Sequence, residues 1–143
     1  MKLSNYLTFN GNCREAFDFY KKVFNAELVD INTFDQMPPD DNMPPLDEND
    51  KNRILHICIK IGEDSFLMGS DTLGCMKQDV VMGTNFSLSL ATNSREETEQ
   101  LFHLLSQGGV VTMPLEDTFW GAYFGMLKDR FGIQWMLSYD TQQ

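Results

Sequence analysis

The chain has 143 residues, room for one compact domain with a real core and not for two full-sized ones. Eleven Lys and Arg stand against 21 Asp and Glu, a formal net charge of -10, which excludes nucleic acid and anionic membrane as partners because each requires a positive patch. With 42% hydrophobic and 12% aromatic residues a core can still be buried, so the acidity does not signal general disorder.

Tyr6 to Phe9 has strand character, and a helix is expected from Asn12. Asn12 can cap it, with Glu15 at the capping-box spacing. Cys13, Ala16, Phe17, Tyr20, Val23 and Phe24 then form one apolar stripe, and Asn25 suits a left-handed stop. Residues 26 to 34 alternate as a strand that runs into an acidic, proline-rich segment. Between 35 and 50 lie Asp35, Asp40, Asp41, Asp47, Glu48 and Asp50, four of the five prolines, and no Lys or Arg. Proline pairs remove backbone donors and like charges repel, so residues 35 to 52 are expected to form a loop: either a solvated insertion or a flap over a binding site. Outside 35 to 50 the balance is 11 basic against 15 acidic, ordinary for a single domain.

Ile54 to Ile61 and Ser65 to Gly69 read as strands joined by a hairpin turn at Gly62-Glu63-Asp64. Asn85 to Leu90 alternates cleanly. Ser94-Arg-Glu-Glu97 is a second capping box, and the helix after it carries Thr98, Leu101, Phe102 and Leu105 before stopping at Gly108-Gly109. His103 falls off that stripe and reads as an exposed polar residue. Val110 to Met113, Trp120 to Lys128 and Ile133 to Tyr139 supply three more strands. The order β-α-β-β-β thus occurs twice, in a first module over 1–71 and a second over 84–140, with a linker over 72–83.

Cys13, Cys58 and Cys75 are widely spaced, and no C-x-x-C occurs, so neither a closed disulfide set nor a zinc knuckle is drawn from them. Reduced thiols and the lack of an apolar leader run at Met1 to Asn5 predict a cytoplasmic protein. No chemistry is assigned to Cys75 in the linker.

Three runs have a familiar look: Tyr6 to Tyr20, Leu55-His56 followed by Leu67-Met-Gly-Ser-Asp71, and Asp117 to Trp135 with its Phe-Trp-Gly and Asp-x-Phe-Gly-Ile-x-Trp. Together they resemble the PhnB-like branch of the glyoxalase/bleomycin-resistance/dioxygenase superfamily, the vicinal oxygen chelate proteins. The resemblance covers nearly the whole chain and is most specific in its last run. It implies an α+β fold of two β-α-β-β-β modules whose mixed sheet curls into a cup. It also implies small molecules bound in that cup, and a homodimer.

Metal-dependent members of that superfamily carry ligands on the first and last strand of each module. By the adjoining motifs those positions fall on Asn5, Met68, Asn85 and Met136. A neutral amide oxygen or a soft thioether is a poor partner for a divalent ion such as zinc or manganese, so no metal and no cofactor are expected. Some members carry a demethylubiquinone methyltransferase label, yet no Gly-rich strand-to-helix turn for S-adenosylmethionine is present.

Strand alternation puts Leu55, Ile57, Ile59 and Ile61 on one face and His56, Cys58 and Lys60 on the other. His56 could serve as a proton-transfer group or ligand contact, or be a histidine satisfied within a polar strand face. Phe119, Trp120, Tyr123 and Phe124 form an aromatic cluster suited to stacking on a flat or cationic ligand, and equally to core or dimer contact. Asp129 reads as a turn residue.

Three functions compete. The first is a metal-free cup that holds a small organic molecule with Asn5, His56, Cys58, Met68, Asn85, Trp120, Tyr123, Gln134 and Met136. The second is a metal-free isomerase, lyase or transferase that uses His56. The third is a structural or partner-binding dimer. Divalent-metal chemistry of the glyoxalase or dioxygenase type ranks below these.

Overall fold

The computed structural model describes residues 1–74 and 79–142. It divides into two compact units, Met1–Val81 and Met82–Gln143. The first holds β1 (Leu7–Phe9), α1 (Cys13–Phe24), β2 (Glu27–Thr33), the short helix α2 (Glu48–Lys51), β3 (Ile54–Lys60) and β4 (Phe66–Asp71). The second holds β5 (Leu88–Ala91), α3 (Arg95–Leu105), β6 (Val110–Asp117), β7 (Ala122–Lys128) and β8 (Gln134–Asp140). Each unit has one four-stranded sheet, in the orders β1-β4-β3-β2 and β5-β8-β7-β6. In both, the first strand runs parallel to the last and the other pairs are antiparallel. The α+β fold expected from the doubled β-α-β-β-β pattern is present. Cys75 lies outside the described residues.

In the first unit α1 buries Cys13, Ala16, Phe17, Tyr20 and Val23 against its sheet. Phe9 meets Phe17 edge-on, with ring centroids 6.3 Å apart. Gly69 lets the Phe17 ring lie close against β4, because a Cβ there would sit 2.7 Å from that ring and 2.8 Å from the Leu7 carbonyl. Burying rings of this size contributes about 2 kcal/mol each. The helix ends as expected at Asn25, in the left-handed region (φ 48°, ψ 48°).

Its start differs from the expectation. The Asn12 side chain makes no capping bond. Gly11 N–H (2.8 Å) and Cys13 N–H (3.0 Å) instead donate to one oxygen of Asp71, and Ile54 N–H (2.9 Å) donates to the other. The parallel register sets Phe9 beside Asp71, which delivers a carboxylate to the first helical turn, and a carboxylate is the stronger acceptor.

Asp71 also bears on Cys13. Burial first, and then the Asp71 charge, push the fully buried thiol well above its ordinary value of 9.0. The unfolded thiol ionises from about that pH while the folded one keeps its proton, so the unfolded state binds fewer protons. The stability that Cys13 contributes is complete below pH 9 and drains as pH rises above it, by up to about 1.4 kcal/mol per pH unit. Denaturant titrations at pH 8 and pH 10 should show a smaller loss in Cys13→Ala than in the wild type. Equal losses would refute the linkage.

The acidic segment is not loop throughout. Phe34, expected to end the strand, opens a 3-10 turn over Phe34–Gln36 and is buried. At the other end Asp47 caps α2, accepting the Asn49 N–H at 3.4 Å.

In the second unit Ser94 caps α3 by accepting the Glu97 N–H at 3.1 Å. The Glu97 carboxylate reaches one residue further back, to Asn93 N–H at 2.7 Å. The helix buries Thr98, Phe102 and Leu105, with Leu101 only half-buried, and ends at Leu105, short of the glycines. The strand expected from Asn85 starts at Leu88. Gln134 explains the delay, since its side-chain amide donates to the carbonyls of Gly83 (3.2 Å) and Phe86 (2.9 Å) and holds that segment off the ladder.

β6 runs past Met113 to Asp117, with irregular register on both sides of Met113. Pro114 has no N–H to give, which an edge strand tolerates. Trp120 and Gly121 belong to the turn before β7, where Gly121 has φ +90° and Thr118 N–H donates to the Ala122 carbonyl at 2.8 Å. Between β7 and β8, buried Asp129 is more than a turn residue. One oxygen accepts Phe131 N–H (2.8 Å) and Ile133 N–H (3.0 Å), and the other accepts the Trp135 indole N–H (2.8 Å).

Candidate functional site

Each sheet has one face against its helix and one turned away, and the sorting follows from strand parity. In the first unit Gly69 points at Phe17 of α1, and the register pairs Ile57 with Gly69 and Ile59 with Leu67. His56, Cys58 and Lys60 of β3, with Met68 of β4, therefore lie on the face turned away from α1.

Asn5, His56, Cys58 and Met68 gather in this region. The Asn5 amide is committed to β4: its Nδ2 donates to the Phe66 carbonyl (2.8 Å), and its Oδ1 accepts the Met68 N–H (3.4 Å). Cys58 stands between Asp30 on β2 and Met68 on β4. It is buried, and burial first and then the Asp30 charge raise its thiol pKa. His56 is not alone, because the Tyr6 hydroxyl lies 3.0 Å from its Nδ1 and the two rings stack at 5.7 Å with 24° between planes. Sequence reasoning passed over Tyr6. Its parity opposite Leu7 and Phe9 was a usable signal, but the parallel pairing of β1 with β4 is needed to bring it to His56.

In the second unit a Cβ on Gly125 would meet Phe102 of α3, and Gly125 pairs with Leu137. Phe124, Met126, Gln134 and Met136 therefore face away from α3. Met136 pairs with Met126 and Met126 with Met113, a row of three methionines across three strands. Asn85 is exposed ahead of β5. Trp120 is 58% exposed and meets Phe119, itself 98% exposed, edge-on at 5.0 Å. Phe124 lies 6.1 Å from Trp120.

Tyr123 does not join them. Adjacent strand residues point to opposite faces, so with Phe124 turned away from α3, Tyr123 is turned toward it. Its hydroxyl donates to Glu99 at 3.0 Å, and the Arg95 guanidinium lies 4.6 Å above its ring. Burial, followed by the Glu99 hydrogen bond, raises its pKa. Tyr123 is thus placed with α3 and apart from Gln134 and Met136. Gln134 has its amide spent on backbone carbonyls. His103 is exposed on α3.

The donors do not suit a hard divalent ion. Asn5 and Asn85 offer only neutral amide oxygens, the first already accepting the Met68 N–H at 3.4 Å, and Met68 and Met136 offer only thioether sulfur. Among the described residues no three of His, Cys, Asp and Glu come together in a way that could hold an ion.

Comparison with known proteins places this geometry in context. A family model described as 3-demethylubiquinone-9 3-methyltransferase matches residues 1–138. Protein YjdN of Escherichia coli (strain K12) is 32% identical over 148 residues, spanning 100% of this chain and 98% of YjdN. The crystal structure of protein PA1353 from Pseudomonas aeruginosa is similar at 38% identity and TM-score 0.81, with 98% of each chain covered. The PhnB protein from Bacillus cereus gives 26% identity and TM-score 0.75, over 97% of this chain and 99% of that one. A glyoxalase/bleomycin resistance protein/dioxygenase family enzyme from Burkholderia phytofirmans PsJN shares the fold at 13% identity, TM-score 0.61, over 94% and 96% of the two chains.

Proposed function

Because the chain belongs to the 3-demethylubiquinone-9 3-methyltransferase family, in the PhnB-like branch of the glyoxalase/bleomycin-resistance/dioxygenase superfamily, we propose that it binds a small organic molecule without a divalent metal. The observation that carries this reading is the chemistry of the ligand positions: a committed amide at Asn5, an exposed amide at Asn85 and thioethers at Met68 and Met136. In the same reading the protein is a cytoplasmic homodimer, which rests on the superfamily resemblance and, among the described residues, the free thiols of Cys13 and Cys58.

The methyl-donor cofactor that the family's description implies does not fit the turn where such a group would sit. The segment between β1 and α1 holds one glycine, and the amides of Gly11 and Cys13 at the helix start already donate to Asp71. The carboxylate of such a methyl donor cannot take those amides while Asp71 holds them. A second reading, an enzyme with His56 as proton-transfer group, is favoured by one specific observation, the Tyr6 hydroxyl at its Nδ1.

A thermal-shift panel of metabolites, run alongside metal analysis of protein purified without chelator, tests the proposal. A ligand present at a hundred times its Kd stabilises the native state by about 2.7 kcal/mol and should raise Tm by several degrees. A stoichiometric, tightly held divalent ion that Asn85→Ala abolishes would overturn the metal-free reading. A panel in which nothing moves Tm would favour a purely structural dimer. Turnover of a bound metabolite that His56→Ala leaves unchanged would remove the second reading.

A further inference from the structure

We infer that Tyr6 fixes the tautomer of His56, so that the first unit presents the imidazole Nε2–H as a donor and recognises its ligand through an uncharged carbonyl-type oxygen. This deepens the small-molecule reading above and rests on it.

Of the two atoms that meet at 3.0 Å, the phenol hydroxyl is by far the better donor and the imidazole nitrogen the better acceptor. The favoured arrangement is therefore Tyr6 O–H donating to Nδ1, which leaves the single proton of the neutral ring on Nε2. The stacked geometry, at 24° between ring planes, holds the imidazole in place while Nε2 points away from Tyr6. A donor of this kind binds an oxygen acceptor and gains nothing from a hydrocarbon or a cation.

The charges on the same face select among acceptors. On β2, Asn32 pairs with His56 and donates to the Asp30 carboxylate at 3.2 Å, and Asp30 pairs with Cys58. The one cation on this stretch of β3, Lys60, pairs with Glu27 across the ladder. From β4 the face receives Phe66, Met68 and Ser70, all uncharged, with the Lys2 Nζ 5.8 Å from the Phe66 ring centroid. Asp30 is thus the charged side chain closest in register to His56, within a chain of net charge -10. A carboxylate ligand would meet repulsion there, and a ketone or amide oxygen would not.

The experiment combines nitrogen NMR of the histidine ring with three probes of one shape: acetophenone, ethylbenzene, which lacks the oxygen, and benzoate, which carries a charge. At a pH where His56 is neutral, the wild type should show the proton on Nε2. Tyr6→Phe keeps the ring and loses the hydroxyl, so the ratio of Nε2–H to Nδ1–H should fall about fivefold, the worth of one hydrogen bond. Acetophenone should bind the wild type about five- to tenfold more tightly than ethylbenzene and ahead of benzoate, and His56→Ala should erase the preference. A proton on Nδ1 in the wild type, a ratio unmoved by Tyr6→Phe, or equal affinity for acetophenone and ethylbenzene would overturn the inference. Benzoate binding tightest would overturn the uncharged assignment. Failure of the underlying reading shows differently, as a metabolite panel in which no compound raises Tm.

Discussion

Asp71→Ala is expected to destabilise the first unit by about 4 kcal/mol and to lower Tm by roughly 10 °C or more. The carboxylate is 4% exposed and receives three backbone N–H groups drawn from the turn before α1, the first residue of α1 and the first residue of β3. Each hydrogen bond to a charged acceptor is worth about 1.5–3 kcal/mol, and amides left buried without a partner lose that and their hydration together. Asp71→Asn should fall about halfway, because the amide keeps one accepting oxygen and turns an N–H toward a donor. Denaturant unfolding of the three proteins decides the matter. If Asp71→Asn matches the wild type, charge has no part in the cap, and if Asp71→Ala does so, the three-way bond is not holding the unit together.

A comparable loss, about 3–4 kcal/mol, is expected for Asp129→Ala in the second unit. One side chain there shapes the turn through Phe131 and Ile133 and anchors the indole of Trp135, which is 1% exposed. The two functions separate by substitution. Trp135→Phe removes the indole donor and leaves the turn contacts, so it should cost clearly less than Asp129→Ala. The double variant should then lose less than the sum of the two, since the shared bond can be broken only once. Additive losses in a double-mutant cycle would show that the indole bond contributes nothing.

Much of this architecture was readable from local pattern. The alternation from Ile54 onward sorted the face of His56 and Cys58 from that of Ile57 and Ile59, and register agrees. The Ser94 cap and the left-handed Asn25 follow from residues next to each other in the chain. What local pattern missed depends on partners far away in sequence. Asn12 looks like a cap until the parallel pairing of β1 and β4 brings in Asp71, a stronger competitor that reaches the N–H of Cys13 from 58 residues on. Asn85 looks like a strand start until the Gln134 amide takes two carbonyls of that segment. At the candidate site the same limit applies: His56 was visible, and its partner Tyr6, 50 positions earlier, was not. Proximity in sequence groups Tyr123 with Trp120, where parity already separates it from Phe124.

The broken register of β6 bears on how copies of this chain could meet. Val110, Val111 and Met113 are exposed on an edge strand, the composition that invites another strand to add on and grow into an aggregate. Pro114 interrupts the row of donors, the ladder slips on both sides of Met113, and Glu116 and Asp117 follow, so an incoming strand finds no continuous template. On the other sheet β2 carries Leu28 and Val29 in the same exposed condition, with its own slip and then Asp30. An open-ended ladder along β2 or β6 is thereby disfavoured, which leaves side chains as the means by which either edge would recognise a partner.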